Sequence, residues 1–159
     1  MSKRGRPIKW NEEQKEILEL YKKKHLDKKT NKIVEGFVNV TRDEFIEWFK
    51  KSKYNEGCCY CGTTNESSLK IYNSQTISKI RHDATRGEKR MRRLELERID
   101  PNEPYDNLEN LGWACHWCNN AKSNFFTKDE FYPTISDAIR NALDKIIENI
   151  DKQTNRNNL

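Results

Sequence analysis

Apolar residues recur along this chain with two different periods, and the change from one to the other falls inside a pair of cysteines. Leu94, Leu96 and Ile99 stand among charged residues with the short spacing of a half-buried strand. A Pro- and Asn-rich stretch follows, and apolar character returns at Leu108, Leu111 and Trp113 just before Cys115-x-x-Cys118. The pattern predicts strand, loop, strand, and then a helix that opens within the cysteine pair.

Helical spacing governs the rest of the chain. Asn11 is an N-cap with Gln14 completing a capping box, and Trp10, Ile17, Leu18 and Tyr21 fall on one stripe that fades in the Lys22 to Lys29 charge run. Thr41 with Glu44 starts a second helix carrying Phe45, Ile46, Trp48 and Phe49, the expected seat of the core. Thr127 with Glu130 forms a third capping box, interrupted by Pro133. Beyond it Ile135, Ile139, Leu143, Ile146, Ile147 and Ile150 predict an amphipathic C-terminal helix over 132–151. Its apolar face is expected to pack on the domain, a homodimer contact being the alternative. The Asn- and Gln-rich end, 152–159, is expected to fray.

Composition narrows the class. A chain of 159 residues with 34% hydrophobic and 35% charged positions makes one domain with a small core, which calls for extra stabilisation. The formal net charge of +5 points to an anionic partner only if the basic groups cluster. They do: seven of the fifteen residues from Lys79 to Arg93 are basic, namely Lys79, Arg81, Arg86, Lys89, Arg90, Arg92 and Arg93. Such density suits contact with the phosphates of double-stranded DNA, against the plainer reading of a solvated loop. In the arm 1–9, Arg4-Gly5-Arg6-Pro7 resembles an AT-hook, whose Arg4 and Arg6 would lie along an A·T minor groove; the alternative is a disordered basic terminus. No apolar run reaches membrane length and no hydrophobic signal segment follows the basic start, so the expectation is a soluble cytoplasmic chain with no membrane partner.

Four of the five cysteines form two pairs, Cys58-x-x-Cys61 and Cys115-x-x-Cys118, a pattern suited to one structural Zn²⁺ per chain held by four thiolates. Cys59 is the odd one out, a buried or free thiol. Two C-x-x-C pairs around a hairpin, an acidic residue on the first strand, Asn110-Leu111 and the run Cys118-Asn119-Asn120-Ala121-Lys122 together resemble the HNH, or ββα-metal (His-Me finger), endonuclease family. Glu97-Arg98 stands where that family carries Asp-His. The stretch 41–131 is more similar to a restriction-enzyme variant of the family with Asp-Arg on the hairpin and a tyrosine in the first knuckle.

The resemblance implies an α+β fold, a small zinc-stabilised, treble-clef-like ββα-metal core over 41–131, flanked by a helical segment over 10–40 and by the C-terminal helix. It implies that Glu97 and Asn119 hold one catalytic Mg²⁺ or Mn²⁺, offering the hard oxygens such ions prefer. Arg98, always protonated, would clamp the scissile phosphate. Tyr60 would take the water proton, its phenol lowered by metal and arginines; the alternative is a packing aromatic, with His82 and His116 as substitute bases. Lys122 joins the DNA-contacting set. The expected activity is a divalent-metal-dependent DNA endonuclease, plausible as a restriction-type enzyme. The alternatives are a catalytically inactive zinc-dependent DNA-binding protein on the same core and, more remotely, an RNA substrate.

Overall fold

A computed structural model of the chain describes residues 11–24, 36–77 and 91–157. Helix α1 spans Glu12–Lys24 and α2 spans Arg42–Lys51. The α2 start is the capping box read from the sequence: Thr41 accepts from the Glu44 backbone, and the Glu44 carboxylate accepts in return from Thr41 N at 2.7 Å. Helix α3 (Asn65–Ile77) follows the first cysteine pair and was not expected; its weakly segregated apolar positions give little periodic signal.

The hairpin pairs β1 (Glu95–Arg98) with β2 (Leu111–Ala114) antiparallel, with Glu97 opposite Gly112 and Leu96 opposite Trp113. Helix α4 (His116–Lys122) starts directly after β2, with Cys115 as its N-cap. A short α5 (Lys128–Phe131) opens on the third expected capping box, and α6 covers Thr134–Asn157. The last helix thus runs six residues past the expected boundary at 151. Its polar end contains no Pro or Gly, and Thr154 Oγ1 donates to the Ile150 carbonyl at 3.0 Å, so nothing interrupts the backbone ladder before Asn157.

The core is an aromatic chain. Tyr21, Phe37 and Phe45 lie within 5.2–5.4 Å of one another by ring centroid, Phe45 meets Trp48 at 5.5 Å, and Trp48 meets Trp113 of β2 at 5.5 Å. The chain therefore joins both N-terminal helices to the hairpin, and each such pair adds about 0.5–1.5 kcal/mol beyond its buried area. Apolar residues of α6, including Leu143, Ile146 and Ile147, pack on the same core, so the domain itself takes up that stripe. Among the described residues no helix is long and apolar enough to cross a membrane.

Candidate metal centre and active cleft

The first knuckle is shaped by glycine. Gly57 has φ +102, and a Cβ there would stand 2.6 Å from the Gly62 carbonyl oxygen, so any side chain would force the turn open. The tight turn lets Gly62 N donate to Cys58 O at 2.8 Å, and Cys59 N donates to Trp113 O at 2.8 Å, which ties the knuckle to β2. As a result Cys58, Cys61, Cys115 and Cys118 come together, all buried, with their four sulfurs within 4.8 Å of one another and Cys61 Sγ 3.5 Å from Cys115 Sγ. A tetrahedral zinc with Zn–S near 2.3 Å needs sulfur–sulfur edges of about 3.8 Å, so the donor set fits that ion. Hydrogen bonds from Cys115 and Cys118 hold the Cys58 thiol well below its usual range, while its bond to Cys115 and burial push Cys118 up. The four buried sulfurs could together hold one metal ion. Cys59 is a free, exposed thiol outside the cage.

On the hairpin, the two-residue period of a strand puts Glu95 and Glu97 on one face. Helix α4 lies against that face and answers with His116, Asn119 and Lys122, spaced by three and therefore on one side of the helix. Glu95 Oε2 accepts from Asn119 Nδ2 at 2.7 Å, and Glu95 Oε1 lies 3.0 Å from His116 Nδ1. Glu97 Oε1 lies 2.8 Å from Lys122 Nζ, which also donates to the Arg98 carbonyl at 3.0 Å. Burial pushes the Glu97 carboxyl above its ordinary value, and its contacts with Lys122 and Tyr60 offset part of that rise.

These contacts border a shallow polar cleft of about 240 Å³ lined by Glu97, Arg98, Tyr105, Asn119, Asn120, Ser123 and Asn124. Arg98 is aimed by two neighbours: its Nη2 donates to Asn124 Oδ1 at 2.9 Å, and its guanidinium lies 5.0 Å over the Tyr105 ring. The 99–110 loop that frames the cleft is locked by Asn110, whose amide accepts from Asp100 N at 2.8 Å and donates to Asp100 O at 2.9 Å. The Asn-Leu motif thus has a structural task in holding the hairpin loop.

Three of the site residues named from the sequence, Glu97, Arg98 and Asn119, meet on this cleft. Two others differ from expectation. Lys122 is wholly buried and paired with Glu97, so it offers no surface to a DNA phosphate; helical spacing turns it inward to the strand. Tyr60 is only 4% exposed, does not line the cleft, and stands behind Glu97 with its hydroxyl 3.4 Å from Oε1 and its ring edge-on to Phe131. Burial first, then the Glu97 charge, push its phenol up, opposite to the lowering a base would need. Arg92 lies 6.0 Å over the Tyr72 ring, and Arg92 and Arg93 are both half-buried on the approach to β1. Arg4, Arg6, Lys79, Arg81, Arg86, Lys89, Arg90 and His82 lie outside the described residues. Glu95, Tyr105, Asn120 and Asn124 were not named as site residues from the sequence. Glu95 carried a usable signal, since it stands two residues from Glu97 on a strand.

No protein-family profile and no curated protein matches this chain. Among solved structures the chain is similar to that of the rare-cutting HNH restriction endonuclease PacI, at 24% identity and a TM-score of 0.47, over 67% of this chain and 66% of that one. The match spans just under two thirds of that protein's length.

Proposed function

We propose that the chain is a divalent-metal-dependent DNA endonuclease of HNH type that hydrolyses phosphodiester bonds and serves as a restriction-type enzyme. The observation that supports this reading is the convergence of Glu97, Asn119 and Arg98 on one polar cleft beside a four-cysteine cage. Phosphodiester hydrolysis requires stabilisation of charge on the phosphate and an activated water. A carboxylate and an amide carbonyl are hard oxygen donors, the type by which Mg²⁺ or Mn²⁺ is held together with substrate phosphate. Bound between Glu97 and Asn119, such an ion would supply Lewis-acid polarisation of the phosphate.

In this reading the chain's own groups hold and orient the phosphate and the cation ligands. Arg98, held by Asn124 and Tyr105, presents a fixed guanidinium to a non-bridging phosphate oxygen. Lys122 and Tyr60 hold Glu97 from behind, Tyr60 as a hydrogen-bond donor and not as the base. Zinc in the cysteine cage would fix α4 to the first knuckle and so set Asn119 against β1. Double-stranded DNA is the proposed partner, with Arg92 and Arg93 and the basic stretch before them supplying phosphate contacts.

One observation favours the second reading, a zinc-dependent DNA-binding protein without catalysis: among the described residues no histidine lines the cleft. Incubation of the purified chain with mixed plasmid and phage DNA and Mn²⁺ separates the two. Cleavage is expected, and Asn119→Ala should abolish it with zinc content and DNA affinity retained. DNA binding without cleavage by the wild type would favour the second reading, and an active Asn119→Ala protein would reject the assigned cation site.

A further inference from the structure

We propose that Glu95 is a positioning residue that orients the Asn119 amide toward the cation, an inference resting on the reading of Glu97 and Asn119 as its ligands. Glu95 does not line the cleft, so its effect runs through Asn119. A carboxylate is an acceptor only, and the 2.7 Å contact with Asn119 Nδ2 therefore fixes which end of the amide faces Glu95. The carbonyl oxygen is left on the other side. Among the described residues Asn119 Oδ1 accepts no hydrogen bond, and Asn119 belongs to the cleft wall. Only that oxygen, and not the NH₂ group, can ligate a hard cation.

Glu95 is itself held. Its second oxygen lies 3.0 Å from the buried His116 ring, one turn before Asn119 on α4, so the carboxylate is anchored at both oxygens to the same helix face. The arrangement is the outer-shell support by which ligand orientation is fixed in metal sites, where loss of a supporting group typically weakens metal binding about 10- to 100-fold. Glutamine at this position would offer an NH₂ group to the amide and let Asn119 turn over, presenting its own NH₂ to the ion.

The test uses the zinc-loaded full chain and Mn²⁺ binding measured by electron paramagnetic resonance, with cleavage as a second readout. Glu95→Gln is expected to weaken Mn²⁺ binding about 10- to 100-fold while zinc stoichiometry and melting temperature hold. In Glu95→Gln/Asn119→Asp, donor and acceptor trade places and both Asp oxygens can accept, so Mn²⁺ affinity should return. If Glu95→Gln does not fold, Glu95→Asp, which retracts the acceptor by one methylene, carries the same expectation. Wild-type Mn²⁺ affinity in the folded single variant, or a double variant no better than the single, overturns the proposal. A wild-type chain that neither binds Mn²⁺ nor cuts DNA overturns the nuclease reading as well, a result distinct from loss of the positioning role alone.

Discussion

Lys122 and Glu97 form an ion pair at 2.8 Å between α4 and β1, with side chains 0% and 6% exposed. A pair so buried contributes little over an apolar pair of the same shape, yet breaking it is costly because the remaining charge has no partner. Lys122→Met should therefore lower stability by about 3–5 kcal/mol, read as a fall in the urea midpoint. Added Mn²⁺ should raise the melting temperature of this variant more than that of the wild type, since a dication at Glu97 takes over the lost counter-charge. An unchanged midpoint, or equal Mn²⁺ effects, would remove the pair from the cation site.

The cysteine cage predicts one tightly held zinc per chain. The small aromatic core and the four clustered sulfurs make the metal a large part of folding. Cys118→Ser should lose zinc by elemental analysis and unfold at markedly lower temperature, and a strong chelator should do the same to the wild type. Wild-type melting behaviour in the serine variant would refute the role.

Tyr60→Phe keeps the ring against Phe131 and deletes only the hydroxyl 3.4 Å from Glu97. Removal of a general base costs about 10²- to 10⁴-fold in rate. Because burial and the Glu97 charge push this phenol up, a loss below about tenfold is expected in single-turnover cleavage at saturating Mn²⁺. A larger loss at intact zinc content would restore Tyr60 as the base.

Asp106 gives a pH signature. Its carboxylate accepts from Val38 N at 2.8 Å, Asn39 N at 2.9 Å and Val40 N at 3.3 Å, and so fastens the segment that delivers Phe37 to the core. Burial acts to raise this carboxyl, but the backbone donors prevail and hold it below its ordinary value. A depressed folded-state value gives stability that is present above the unfolded value, about 3.9, and is lost as pH falls through the folded one. Asp106→Asn should thus be less stable than wild type at pH 7, and the gap should shrink progressively as pH falls below about 3.9. A gap that stays constant on acidification through that range would assign its cause to something other than the charge.

Local chemistry was legible in the sequence wherever one short stretch carries its own signal. The capping boxes at Thr41 and Thr127, the hairpin strands and the α4 start at Cys115 all appear as read, because each depends on residues within a few positions. The four zinc candidates were legible for the same reason, each pair being one tight turn, although only the fold brings the pairs within 4.8 Å. Site membership was different. Whether Lys122 faces solvent or Glu97, whether Tyr60 reaches the cleft, and which carboxylate meets Asn119 depend on how α4 is rotated against β1. That rotation is set by packing between segments over twenty residues apart, which the sequence pattern constrains but does not fix. Sequence alone established the residue types and the period that aligns Glu95 with Glu97 and His116 with Asn119; tertiary structure decided which partner each one meets, since burial leaves every charge only the neighbours within reach.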